Sequence, residues 1–314
     1  MFSRVVVCLM GPTASGKTDI AIRLSTRFPV ELVSVDSALV YRGMDIGTAK
    51  PDTLTLKKYP HALIDIVDPE VPYSAGKFVR DAEREIDAIH ERDRIPLLVG
   101  GTMLYFRTLI NGMAALPSAD ETTRASIDQD AAANGWPAMH RRLLEVDPES
   151  ASRINPNDSQ RIQRALEVYM ISGRTLTDWH VSAHQVRDDL SFIRVALLPD
   201  PRSTLHERIE QRLDCMLDQG LVEEVRHLRE RPGLTSAHPS MRAVGYRQCW
   251  SFLNGDYDVD EARRCALSAT RQLAKRQLTW LRSEPDLFTV NPLETDVFRT
   301  ISRYMEVALG YRKN

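Results

Sequence analysis

Cysteine is scarce in this chain. Four residues in 314, Cys8, Cys215, Cys249 and Cys265, stand far apart and form no Cys-x-x-Cys pair. Neither a zinc motif nor a redox motif can be built from that spacing, and a disulfide framework does not suit a chain of this size. Four reduced cysteines in a cytosolic protein are expected. Glycine (15) and proline (17) are too few for a collagen-like or low-complexity chain. Long apolar runs are missing too: nothing nears the ~18–20 residues of a membrane span. The run Val5–Met10 is too short for a secretory core and leads into Gly11-Pro12-Thr13 rather than a cleavage site. Charge of one sign is also lacking, since 41 Lys+Arg against 43 Asp+Glu leave a net −2. That excludes a protein basic all over, but a local basic stripe can still serve a nucleic acid while acids elsewhere balance the total. What remains, 43% hydrophobic and 27% charged, is the composition of an ordered soluble protein. A soluble, cytoplasmic protein with no membrane partner is expected, in about two domains or as one domain carrying an insertion.

Apolar runs alternate with helical patterns through the first hundred residues. Val5–Met10, Leu32–Val35 and Ile95–Val99 read as buried strands, because strands covered on both faces are continuously apolar. Between them, Ile20, Leu24 and Phe28, and then Phe78, Ala82, Ile86 and Ile89, recur at helical spacing. Alternating strand and helix predicts an α/β fold with a parallel sheet wrapped by helices, and Phe192–Leu198 is expected to add a strand. The stretch between, residues 113–185, is polar and helical, punctuated by Pro117, Pro137, Pro148 and Pro156. It reads as an all-helical insertion into a core formed by residues 1–112 and 186–314. Its clearest helix is Gln160–Ile171, capped by Asp158 or Ser159. Helices are further expected over Leu205–Leu217, Leu221–Leu228 and Glu261 to Arg282.

Gly11-Pro12-Thr13-Ala14-Ser15-Gly16-Lys17-Thr18 matches G-x-x-x-x-G-K-[ST] in full, after a strand and before an amphipathic helix. Such a loop wraps a phosphate in backbone N–H groups at a helix N-terminus. Lys17 supplies a point charge and the Thr18 hydroxyl a Mg²⁺ ligand. The loop specifies a polyphosphate but not which one. Phosphoryl-transfer enzymes of this type place a second acidic magnesium ligand at the end of a later strand. Here Ile95–Val99 runs into Gly100-Gly101-Thr102 with no carboxylate, while Asp36 closes the other strand in Val35-Asp36-Ser37. The phosphate cradle is complete and the γ-phosphoryl machinery is not.

Basic residues gather in the second half. On the helix Gln160–Ile171, Ile162, Ala165, Leu166 and Tyr169 fall on one side and Gln160, Arg161, Gln163 and Arg164 on the other. Two arginines and two amides suit phosphates and base edges, although a solvated face has the same pattern. From Ala262 to Ser283 there are six basic residues and no acidic one. Arg264, Arg271, Lys275 and Arg282 fall within about 40° of one another around the helix. Four aligned cations without compensating acids repel one another unless a polyanion is present. Met241-Arg242-Ala243-Val244-Gly245-Tyr246-Arg247 could position a backbone or stack a base. Trp136, Trp179, Trp250 and Trp280 read as helix-packing residues.

Taken together, GPTASGKT at 11–18, SVDSALVYRGMDIGTAKP at 34–51, IPLLVGGTMLYF at 95–106, LPSAD at 116–120, NDSQRIQRALEV at 157–168, AVGYRQCW at 243–250 and RQLAKRQLTWLR at 271–282 resemble the bacterial tRNA dimethylallyltransferases (tRNA isopentenyltransferases, the IPP transferase family). The resemblance runs from Gly11 to Arg282, and the second and last of these motifs are the most specific. It implies a P-loop kinase-like core that holds dimethylallyl diphosphate where a kinase holds its nucleotide, which accounts for the missing phosphoryl-transfer carboxylate. It implies transfer of the dimethylallyl group to N6 of adenosine 37, beside the anticodon, with Mg²⁺ as cofactor and the tRNA anticodon stem-loop as partner of a monomeric enzyme. Asp36 would then be the base, Lys17 and Thr102 would complete the catalytic set, and Arg208 and Arg212 would clamp the diphosphate. Ser37, Ala38 and Leu39 beside Asp36, Thr102, Arg124, Gln160 to Arg164 (Ile162 included) and Met241 to Tyr246 would touch the tRNA. So would Lys275, Arg276, Gln277, Leu278, Thr279, Trp280, Leu281 and Arg282. The target adenine would have to flip out of its stack.

Two other readings stand beside this one. A P-loop small-molecule or nucleoside kinase would use ATP and place Asp36 on its acceptor. A non-catalytic RNA-binding switch would use nucleotide occupancy to change shape and would not need Asp36.

Overall fold

The computed structural model describes residues 4–114, 116–181 and 186–310. In chain order the elements are β1 Arg4–Met10, α1 Lys17–Ser25, β2 Val30–Val35, α2 Thr53–Lys58, β3 His61–Ala62, α3 Ala75–Glu91, β4 Ile95–Gly100 and α4 Met103–Asn111. Then follow α5 Glu121–Asn134, α6 Trp136–Val146, α7 Pro148–Arg153, α8 Ser159–Ser172 and α9 Leu176–Val181. The remainder is β5 Leu190–Leu197, α10 Arg202–Asp218, α11 Leu221–Arg229, α12 Tyr246–Asn254, α13 Val259–Ser283, β6 Phe288–Val290 and α14 Val297–Ala308. Two compact units result: Met1–Ile110 with Asp188–Asn314, and Asn111–Arg187. The expected end of the insertion at Gln185 lies outside the described residues.

The first unit is a six-stranded sheet in the order β3-β2-β4-β1-β5-β6, with every pairing parallel. Period-two alternation divides its strands between two cores. Val6, Cys8 and Met10 of β1, with Val33 and Val35 of β2, pack on one face against Phe78, Ala82, Ile86 and Ile89 of α3. Val7 and Leu9, with Leu32, Leu97 and Val99, pack on the other against Ile20, Ala21 and Leu24 of α1 and Ile301 and Met305 of α14. These are the continuously apolar strands the sequence called for. The short β3 and β6 escape such a reading, since two and three residues carry no periodicity. Phe288 in β6 stacks on Tyr304 of α14, with ring centroids 3.8 Å apart.

Among the described residues the second unit's elements are all helices, α5 to α9, packed around Ile127, Met139, Leu143, Ile162 and Leu166. Asp158 caps α8 by accepting from the Arg161 N–H at 3.2 Å. Glu167 on α8 is fully buried and accepts from Arg124 Nε at 2.8 Å, Arg164 Nη1 at 2.7 Å and the Asp120 N–H at 2.9 Å. Those bonds to its charged form hold the carboxyl below its ordinary range against the opposing effect of burial.

The central strands close on one another at the edge where their carboxyl ends lie. Gly100 pairs with Val35, and a Cβ built on it would stand 1.9 Å from the Val35 carbonyl oxygen. No side chain fits there. Gly100→Ala is therefore expected to cost ~3 kcal/mol or more through overpacking against backbone, read as a lowered urea midpoint relative to the parent protein.

Candidate active site

In an open parallel sheet, ligands bind outside the carboxyl ends of the strands. Three such ends meet here: β1 runs into the 11–18 loop, β4 into Gly101 and Thr102, and β2 into Asp36. The phosphate loop is curled, with Ala14 at φ 61° and Gly16 at φ 82° leading into α1. That curl gathers successive N–H groups at a helix N-terminus, an anion-binding geometry. Lys17 folds back over it, donating to the Pro12 carbonyl at 2.6 Å and Ser15 Oγ at 3.4 Å. Thr18 stands exposed in the first turn of the helix.

Two neighbours brace this loop. Gln277 of α13 accepts from the Thr13 N–H at 2.9 Å and donates to the Gly101 carbonyl at 2.8 Å, tying the phosphate loop to the end of β4. Beyond Gly101, the Thr102 N–H donates to the Val35 carbonyl at 3.2 Å and Thr102 Oγ1 accepts from the Ser37 N–H at 3.0 Å. Asp36 Oδ1 accepts from the N–H groups of Ala38 at 2.8 Å and Leu39 at 3.3 Å, so the turn after β2 fixes the carboxylate in direction.

Lys17, Arg212 and Asp36 form one electrostatic group. Burial, and then the Arg212 charge, lower the Lys17 ammonium to a pKa of about 7, with Asp36 opposing them. Arg212 is also shifted down by burial, again opposed by Asp36. Its Nη2 donates to the Thr48 carbonyl at 3.2 Å. Arg208 is exposed one turn earlier on α10. Two cations sharing a half-buried place make a ready site for a polyanion.

The remaining expected contacts fare unevenly. Arg242, Lys275, Arg276, Thr279 and Arg282 are exposed, and Ala243, Val244 and Trp280 are half-buried. Met241, Tyr246, Leu278 and Leu281 are buried, as is Ile162 in the second unit. They shape the core beneath those segments rather than an RNA surface. Tyr246 in particular cannot stack a base, because its ring is enclosed and its hydroxyl is held by Glu224 at 2.5 Å. Arg124 and Arg164 are engaged by Glu167, Gln163 donates to Asp128 Oδ1 at 2.7 Å, and Arg161 pairs with Asp158. The stripe on α13 needs correction as well. Arg271 pairs with Glu210 of α10 at 3.0 Å, and Arg264 with Glu261. The compensating acids absent from the segment itself come from the neighbouring helix and the preceding turn. Glu210 and Asp214, four apart on α10, were the sequence signal for this, and both also bind Arg263. A cavity of about 440 Å³ opens between α10 and α13, with Arg202, His206 and Lys275 over Leu205, Leu267 and Leu278.

The sheet and the 11–18 loop at the end of its first strand define an α/β protein carrying the P-loop sequence motif. Residues 39–284 match the sequence model of the IPP transferase family, and the chain belongs to that family. It is 53% identical over 301 residues to a tRNA dimethylallyltransferase of Coxiella burnetii, covering 96% of this chain and 97% of the relative. To one of Thiobacillus denitrificans it is 52% identical over 306 residues, covering 97% of each. Among solved structures, a tRNA isopentenylpyrophosphate transferase of Bacillus halodurans superimposes with a TM-score of 0.70 at 33% identity, over 98% of this chain and 96% of that one. A eukaryotic dimethylallyltransferase acting on tRNA shares the fold, with a TM-score of 0.79 at 24% identity over 98% and 79% of the two chains.

The Lys17 shift has a direct consequence. Its ordinary pKa is ~10.4, whereas in the free site it loses its proton near pH 7. A bound diphosphate favours the ammonium form, so binding should take up a proton at and above pH 7, and affinity should fall as pH rises through that range. Calorimetric titration with inorganic diphosphate, in buffers of different ionisation enthalpy, measures the uptake. Lys17→Met should abolish it.

Proposed function

We propose that the chain is a tRNA dimethylallyltransferase that transfers the dimethylallyl group of dimethylallyl diphosphate to N6 of adenosine 37, giving N6-isopentenyladenosine and diphosphate. The observation that carries this reading is the pairing of a complete phosphate loop with Asp36 at the end of β2 and no carboxylate at Gly100-Gly101-Thr102. A diphosphate leaving group needs the cradle and the cations, but no machinery for moving a γ-phosphoryl. Membership in the IPP transferase family supports the same choice.

The exocyclic amine of adenine is a weak nucleophile, because its lone pair is delocalised into the ring. Asp36 accepts a hydrogen bond from that amine and takes its proton as nitrogen attacks the allylic carbon. The breaking C–O bond leaves its electron pair on the diphosphate, whose growing charge falls on Lys17, Arg212, Arg208 and the loop N–H groups. Thr102 and Ser37 hold the turn against which the nucleotide lies. No three His, Cys, Asp or Glu among the described residues form a metal cage. The exposed Thr18 hydroxyl instead suits a hard cation that takes its other ligands from water and the diphosphate. Mg²⁺ held there would neutralise charge on the leaving group. Arg242, Lys275, Arg276 and Arg282 supply cations to the RNA backbone, and the helical unit 111–187 supplies Gln160 to the anticodon arm.

Purified protein incubated with unmodified tRNA, Mg²⁺ and dimethylallyl diphosphate should add one dimethylallyl mass to an adenosine, read by mass spectrometry of digested nucleosides. ATP in place of the prenyl donor should add nothing. Consumption of ATP against a small acceptor, with no gain on tRNA, would put the kinase reading in its place. Asp36→Ala should lower turnover ~10²–10⁴-fold, the worth of a positioned base, with tRNA affinity nearly unchanged. A comparable loss of tRNA binding would remove Asp36 from the role of base.

The ion pairs on α13 make a second test specific. Lys275→Ala and Arg282→Ala should each reduce the slope of log affinity for tRNA against log salt by about one. Arg271→Ala should leave that slope nearly unchanged, because Glu210 already engages its charge.

A further inference from the structure

After Met44 the chain runs through Asp45, Ile46, Gly47 and Thr48 with no helix or strand of its own, so its amides need partners from elsewhere. Glu224, in the first turn of α11, supplies them. Its Oε2 accepts from the N–H groups of Asp45 at 2.9 Å and Ile46 at 2.7 Å, and its Oε1 accepts from the Gly47 N–H at 3.2 Å. The same Oε1 accepts from the Tyr246 hydroxyl at 2.5 Å. Successive N–H groups converging on one point make an anion-binding concavity. Here the anion comes from the protein, and hydrogen bonds to an ionised acceptor are roughly twice as strong as neutral ones.

The loop is also pressed flat on what lies beneath. A Cβ on Gly47 would stand 2.5 Å from Cε2 of Tyr246 and 2.7 Å from Cδ1 of Leu221, so the backbone rests directly on the ring. Thr48 Oγ1 donates to the Met44 carbonyl at 2.7 Å, and Lys50 reaches back to the Tyr41 carbonyl at 3.0 Å. Held at both ends and from below, the loop presents the Thr48 carbonyl, which accepts from Arg212 Nη2 at 3.2 Å. Glu223, the adjacent acid, is taken up by Arg226 and does not compete.

We propose that Glu224 is a positioning residue for the diphosphate clamp: it fixes the backbone of residues 45–48, and the Thr48 carbonyl of that backbone sets where the Arg212 guanidinium stands beside Lys17. The proposal rests on the reading of Arg212 as a diphosphate ligand. It gives the buried Tyr246 a role as well, as the floor and fourth donor of the clamp rather than a stacking platform for RNA.

The test is a double-mutant cycle on the affinity for dimethylallyl diphosphate, measured by titration calorimetry on the full chain, with tRNA affinity and thermal melting followed in parallel. Arg212→Ala should weaken donor binding about tenfold or more, as loss of a charged hydrogen-bonding partner does. Glu224→Gln should weaken it by a similar factor, with tRNA affinity changed less than about twofold. The two together should be no worse than Arg212→Ala alone, since a residue acting through another has nothing left to act on. Gly47→Ala disturbs the same loop without touching a charge, and should weaken donor binding likewise, which keeps the test open if Glu224 variants fold poorly. Additive losses, or a melting temperature that falls while donor affinity holds, would overturn the proposal and leave Glu224 a structural brace. Unchanged donor affinity in Arg212→Ala alone would instead remove Arg212 from the diphosphate site, and the proposal would fall with that reading.

Discussion

Two half-buried cations confined together with one opposing carboxylate set the terms for the rest of this molecule. Lys17 and Arg212 each lower the cost of an incoming anion and raise the cost of its absence, and Asp36 offsets that only in part. A centre with this imbalance needs a rigid frame, because mobile cations would move apart. The parallel sheet provides it. Its central strands are buried on both faces, and their carboxyl ends bring the phosphate loop, Asp36 and Thr102 to one edge without any of the three being adjacent in sequence.

The frame is completed by helices from the far end of the chain. Gln277 satisfies an N–H of the phosphate loop and a carbonyl at the end of β4 with the two ends of one amide. Glu224 does the equivalent for the loop that faces Arg212. In both cases a single half-buried polar side chain settles backbone groups that have no secondary structure to settle them. The same economy appears in the helical unit, where Glu167 gathers two arginines and a backbone amide.

The sequence shows the parts of this design that have a period or a fixed spacing. The β1, β2, β4 and β5 strands, α1, α3 and α8 announce themselves through burial on one or both faces, and the phosphate loop through its glycines and Lys17. Contacts between helices leave a weaker trace. The cations of the 262–283 segment read as unopposed because their acids, Glu210 and Asp214, belong to a different helix and meet Arg263 and Arg271 only on packing. Tyr246 reads as an aromatic available to RNA because a segment rich in Arg and Gly looks exposed, whereas its ring fills the space that Gly47 leaves. Glu224 gives no sign at all. Acids in the first turn of a helix are ordinary, and nothing in the local pattern says that this one faces three amides from a loop far upstream.

The hydrogen bond from Thr13 to Gln277 joins residues 264 positions apart. A ribosome making this chain delivers the phosphate loop well before its brace, so the loop waits through 264 further residues for the partner that holds it. Local strand–helix units can form as they emerge, but contacts of such sequence separation wait until both partners have been made. The most recognisable motif in the sequence therefore reaches its final geometry later than the strand and helix that flank it.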